Sequence, residues 1–147
     1  MSADTLFVIC NYGVLPAWLL LVLAPSWSWT QRIVHAVWIP ALLGLAYLFA
    51  LTQGSPAEDA SFFSLSGVML FFTDPWAATA GWIHYLVFDL FVGAWEVRDA
   101  RRNDISHALL LPCLIATLML GPIGLLAYAA LRGLLRQQTS LAEILGD

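Results

Sequence analysis

Two ionisable side chains inside an apolar run carry most of the chemistry this chain can offer. The stretch Trp82-Ile83-His84-Tyr85-Leu86-Val87-Phe88-Asp89-Leu90-Phe91-Val92-Gly93 is apolar enough to enter a bilayer, yet it holds His84 and Asp89. An aspartate at mid-membrane costs about 2.5 to 3.5 kcal/mol even on lenient insertion scales. A chain that keeps such a group either uses it or pairs it tightly. A carboxyl and an imidazole in one cavity can give and take a proton, which is the equipment of acid–base catalysis. The competing account is structural: Asp89 bonded to a neighbouring Tyr, Trp or backbone group, and His84 bonded across helices. Asn11 has the same two readings, since Asn is ordinary interhelical glue.

The elements that must position these groups follow from composition. Of 147 residues 61% are hydrophobic and 11% charged, too apolar for the surface of a soluble domain of this size. An all-α polytopic membrane protein is expected, one four-helix domain over 1–147. Its spans fall at about 5–24, 33–52, 76–97 and 105–131, each near the 20 residues a bilayer core requires. Asp74-Pro75 starts the third span as N-cap and N1, and Asn103 with Asp104 caps the fourth. The apolar piece 62–72 is too short to cross and reads as an interfacial or re-entrant segment between the second and third helices. From Leu131 onward, arginines alternating with leucines suit a helix leaving along the membrane surface. Pro16, Pro40, Pro112 and Pro122 interrupt the other three spans.

Arg32, Arg98, Arg101 and Arg102 lie in the first and third connectors, against Arg132 and Arg136 beyond the fourth span. The positive-inside rule therefore predicts cytoplasmic connectors one and three, with both termini on the non-cytoplasmic side of a bacterial inner membrane or its equivalent. The first residues lack a signal peptide's basic region, so the N-terminus is expected to belong to the first span. A net charge of −4 without a basic stripe argues against nucleic-acid binding.

Counting about 1.5 Å of rise per residue from the Arg-rich ends brings Asn11, Tyr47, His84 and Thr117 to a common level, with Asp89 lower, near Cys113. His84 and Asp89 stand roughly 140° apart on their helix, so both border one cavity only if that helix faces two neighbours. Glu96, Asp99 and His107 beside the arginines read as a solvated ion network at the rim. Cys10 and Cys113 fall at different depths and read as core residues. His84 and His107 are too far apart in depth to share a metal, and His35 with His107 is a weak pair, so neither metal nor cofactor is expected.

The residues resemble a family: the abscisic-acid-deficient type of membrane protein, required for neoxanthin synthesis in plant plastids and having bacterial relatives. The likeness rests on Asn11-x-x-Val14-Leu15-Pro16-x-Trp18, on Pro25-x-Trp27-x-Trp29-Thr30, and on Gly81-Trp82-x-His84-x-Leu86-x-x-Asp89-Leu90-Phe91-Val92-Gly93. His107 and Gly121-Pro122-x-Gly124-Leu125-Leu126 extend it through the fourth span. With no plastid transit peptide, the chain resembles the bacterial or mature form. The resemblance implies a four-helix membrane protein of carotenoid or xanthophyll metabolism and carries over Asn11, Trp82, His84, Asp89 and His107.

Joined to the residues, it gives a working expectation. A carotenoid or other long apolar ligand lies in the bilayer among Asn11, Tyr47, Trp82, Phe88, Phe91, Trp95 and Thr117. Asp89 protonates an end-group epoxide while His84 takes a carbon-bound proton, an isomerisation without net electron transfer. One rival is a non-catalytic pigment-binding or assembly protein. The other is a small proton or ion pathway through Asn11, His84 and Asp89. A membrane-protein partner or a homo-oligomer fits any of the three.

Overall fold

The computed structural model describes residues 1–137 and is all-helical over them. Helices α1 (Ala3–Gly13) and α2 (Leu15–Leu23) cover the first expected span. They join at Val14, whose N–H still donates to the Cys10 carbonyl at 3.2 Å, so the path bends at the Pro16 site without breaking. A short helix α3 (Ser28–Ile33) follows. The helix in the second expected span, α4 (Trp38–Gln53), begins five residues later than position 33. Pro40 explains the shift: its ring would clash with the carbonyl four residues back, so a helix cannot run through 36–40 and starts around the proline instead. Helix α5 (Leu65–Phe71) is the short element expected between the second and third crossings, and it is capped by Ser64.

Helix α6 (Pro75–Arg102) is the axis of the molecule. Asp74 caps it, Oδ1 accepting from the Ala77 N–H at 2.8 Å. Asn103 closes it, Nδ2 donating to the Asp99 carbonyl at 2.8 Å, so Asn103 ends the third helix and does not start the fourth. Small residues let neighbours press onto the axis. Had Gly93 a Cβ, it would lie 2.6 Å from the Trp18 ring, and one on Gly81 would lie 2.6 Å from Phe72.

The largest departure is the fourth span. Residues 105–131 do not make one helix. They make α7 (His107–Leu120) and α8 (Pro122–Arg136), folded back on one another at Gly121. Gly121 has φ +52 and ψ −103, a backbone state that favours glycine. Pro122 opens α8, where its missing N–H costs nothing. Gly124 lies so close to Thr117 that no side chain fits between the two helices. The antiparallel path is fixed at its far end, where the Arg136 guanidinium donates to the Asp104 carbonyl at 2.7 Å. At 14 residues α7 rises about 21 Å, and α4 at 16 residues about 24 Å, both short of a hydrocarbon core of about 30 Å. The α7–α8 pair is a hairpin whose two open ends lie together.

Two expectations change with it. Leu131 to Arg136 continue a packed helix instead of lying along a surface, and Arg132 is buried within it. Residues 1 and 137, the limits of the described chain, lie at opposite ends of the bundle. All six arginines then gather at one end, while Asp4, Glu58, Asp59 and Asp74 mark the other. Among the described residues two helical stretches, Ala3–Leu23 and Pro75–Arg102, are long and apolar enough to cross a membrane; α4 and α7 are apolar but shorter. Positions 138–147, the tail of the domain expected over 1–147, lie outside the described residues.

Candidate functional site

The expected site residues divide between two sides of α6. On the α4 side, His84 faces Tyr47, their ring centroids 6.1 Å apart, and packs at a tilt against Phe88 at 4.5 Å. His84 and Tyr47 border a cavity of about 550 Å³ between α4, α5 and α6. Phe62, Phe71 and Phe72 from the α5 segment form its outer wall, and Ala77, Ala80 and Gly81 its floor. The floor exists because α6 carries only small residues there. Among the lining residues His84 and Tyr47 alone are polar in the side chain.

On the opposite side, Asn11 Oδ1 accepts from Trp82 Nε1 at 2.9 Å, and Trp82 stacks on Tyr85 at 5.2 Å. These three line a second cavity of about 280 Å³ between α1, α6 and α7. Tyr85 is the side-chain hydrogen-bond partner of Asp89, one turn further on. The Asp89 carboxyl lies under the hairpin tip, about where a Cβ on Gly121 would come within 3.0 Å of its Oδ1. Its Oδ2 is buried without a partner. His84 and Asp89 therefore do not meet, and Asn11, His84 and Asp89 make no continuous polar file. The 140° between them decides this, because α6 is packed on both sides.

Thr117 is not level with His84. It donates to Glu96 Oε1 at 2.9 Å, twelve positions along α6 from His84, about 18 Å by helical rise. The depth count took the helices as straight and starting in one plane, which the hairpin does not satisfy. Trp95 packs edge-on against Tyr128 at 5.5 Å. Phe88 and Phe91 point outward, 55% and 58% exposed. His107 Nε2 donates to the Val22 carbonyl at 2.8 Å, tying α7 to the end of α2.

The residues that a linear reading misplaces are Glu96 and Asp99. Both are buried, with Glu96 at 0% exposure. Asp99 Oδ2 accepts from the Tyr128 hydroxyl at 2.6 Å and pairs with Arg132 Nε at 2.7 Å. Both of these partners come from α8. Tyr85, Asp89, Glu96 and Asp99 fall on one stripe of α6, and the α7–α8 hairpin covers the part from Asp89 to Asp99. That spacing was visible in the chain; the partner was not, because it comes from a helix that doubles back.

At the Arg-bearing end, Arg98 donates to His35 Nδ1 at 3.0 Å. Burial, with Arg98 and Arg101 nearby, pushes the His35 imidazole down to about 4. His35 and His107 thus take separate partners.

A family model described as ABA DEFICIENT 4-like matches residues 5–128, which include the Asn11–Trp82 pair, both cavities and the hairpin through Tyr128. The chain belongs to the ABA DEFICIENT 4-like family. It is similar to the protein named ABA DEFICIENT 4, chloroplastic, of Arabidopsis thaliana, at 25% identity over 146 residues, covering 92% of this chain. The chain spans 64% of that relative's length. No solved structure matches it.

Proposed function

We propose that this chain is an integral membrane protein of carotenoid or xanthophyll metabolism, which seats a carotenoid end-group in the cavity between α4, α5 and α6 and rearranges it by acid–base chemistry. The observation that carries the reading is that cavity: about 550 Å³, walled by phenylalanines, with one imidazole and one phenol inside. Family membership and the resemblance of the third-helix motif support the substrate class. Membrane insertion is supported by the two long apolar stretches and by outward-facing side chains such as Leu19, Leu42, Leu45, Phe88 and Ile115, all exposed. In the topology favoured here α1–α2, α4 and α6 cross, the hairpin enters from the Arg-bearing face, and that face is cytoplasmic or its equivalent.

Opening an epoxide end-group to an allene breaks one C–O bond and removes one carbon-bound proton. His84 accepts that proton, and the Tyr47 hydroxyl donates to the epoxide oxygen. Proton return from imidazolium to phenolate, between rings 6.1 Å apart, restores both groups. No electron is transferred. Asp89 lies across α6 from this cavity, so the donor role passes from Asp89 to Tyr47. The rival without turnover, a pigment-binding protein, is favoured by how little of the wall is polar.

The test is the pigment profile of cells with and without the gene, and with His84→Gln and Tyr47→Phe. The enzyme reading expects one carotenoid to accumulate at the expense of its rearranged form in the deletion and in both variants. Pigment that co-purifies unaltered, with profiles the same in all strains, selects the binding protein. Unchanged profiles with no bound pigment remove both.

A further inference from the structure

We propose that the cavity at the Arg-bearing end, between the connector joining α3 to α4 and the last turns of α6, is a binding site for one anionic phospholipid, its phosphate held by Arg98 and His35 and an acyl chain laid along Phe91 and Pro40. The cavity measures about 270 Å³ and is divided by chemistry. His35 and Arg98 make its polar end; Pro40, Leu90 and Phe91 continue it as an apolar groove. A phosphodiester with a hydrocarbon tail has the same division.

The polar end is built for an anion. Arg98 donates to His35 Nδ1, so the neutral ring keeps its proton on Nε2. That second nitrogen is buried with no partner, and a donor left so costs about 1–3 kcal/mol. A phosphate oxygen can accept from it while the Arg98 guanidinium supplies the charge. Charge favours the same occupant. All six arginines stand at this end of a chain whose net charge is −4, so anions are drawn here and repelled from the other face. In a membrane this level is where lipid phosphates lie, and Phe91 is exposed where a tail would run.

The site rests on the membrane reading above. The test uses the full chain purified in a neutral detergent and native mass spectrometry with added phosphatidylglycerol or phosphatidylcholine. Phosphatidylglycerol adducts are expected to survive and phosphatidylcholine adducts to be lost. Arg98→Gln should weaken phosphatidylglycerol retention about tenfold, the weight of one charge-assisted hydrogen bond, and His35→Ala should weaken it less. Arg98→Lys should recover part of the loss. Arg101→Gln removes an equal charge outside the cavity and should retain the lipid. Equal losses in Arg98→Gln and Arg101→Gln would mean diffuse attraction and overturn the site, as would equal retention of both lipids. Displacement of the lipid by inorganic phosphate alone would also overturn it, leaving a plain phosphate site. A chain that stays in solution without detergent and takes up neither lipid would instead defeat the membrane reading.

Discussion

On the α4 side of α6, Gly81 and His84 border an open apolar cavity whose two polar groups make no hydrogen bond to each other. On the hairpin side, Asp89, Glu96 and Asp99 are buried under α7 and α8; Thr117 bonds Glu96, and Tyr128 and Arg132 bond Asp99. The same helix thus carries an open face and a sealed one, in which Asp89 Oδ2 and Glu96 Oε2 still lack a partner. Buried charges are tolerated where hydrogen bonds surround them, and such networks fix a unique arrangement more than they add stability. An open apolar cavity fixes nothing and leaves room. In the reading proposed here the acids hold the hairpin and the histidine faces the ligand cavity, the reverse of what the cost of an intramembrane aspartate alone suggests.

The widest break with a four-span arrangement concerns direction. Reporter fusions after Arg102 and after Arg136 should give the same signal, because Arg136 returns to the Asp104 carbonyl. A four-span bundle demands opposite signals. Cysteines placed at Glu58 and Asp74 should be labelled from one common side, opposite to the reporters, since α5 does not cross. Labelling of that pair from two sides would make the α5 segment a span and undo the whole assignment of faces.

Next in size is Arg132→Leu. It strands Asp99, which is 3% exposed, and removing one partner of a buried pair costs about 3–5 kcal/mol. Thermal unfolding in detergent should show a large loss, and pigment chemistry should vanish with the fold. Replacing both partners together, Asp99→Leu with Arg132→Leu, should return much of it, because no unpaired charge remains. A mild single variant would mean that the hairpin is not held through this pair.

How much of this was legible in the chain depends on distance along it. The Asp74-Pro75 start, the short α5 segment and the character of the first and third helices are local matters of capping and hydropathy, and they stand as expected. The prolines divide. Pro16 lies inside the continuous stretch Ala3–Leu23 and Pro112 inside α7, as interruptions of a span, whereas Pro40 and Pro122 sit in the first turns of α4 and α8. The hairpin was hidden because Gly121-Pro122 permits either a kink or a reversal. Only contacts some thirty positions apart, such as Arg132 with Asp99, choose between them. Glu96 went unrecognised for the same reason: nothing near it in sequence says that Thr117 will cover it.

The two faces can be exchanged against each other at one level. His84→Gln should leave a folded protein that has lost conversion, since the amide cannot take a proton from carbon. Asp89→Asn should leave both fold and conversion near normal, because Asp89 does not line the α4 cavity. Asp89→Leu should lower the melting temperature moderately by leaving Tyr85 without its acceptor. A folded Asp89→Asn variant that has lost conversion, beside an active His84→Gln, would move the reaction to the Asn11–Trp82–Tyr85 cavity.

The smallest expected effect is at the rim, where His35 meets Arg98. In the unfolded chain this imidazole titrates at about 6.5; in the fold, burial and then the charges of Arg98 and Arg101 hold it at about 4. Between those values the unfolded chain binds more protons than the folded one, so stability rises with pH across the window. The contribution is complete above the upper value, and it erodes as pH falls toward the lower one. Because the ring is only partly buried, solvent screening keeps the slope shallow. Between pH 7 and pH 4 the parent chain should therefore lose more melting temperature than His35→Gln does. The same pH dependence in both proteins would mean that the His35 ring is not coupled to folding.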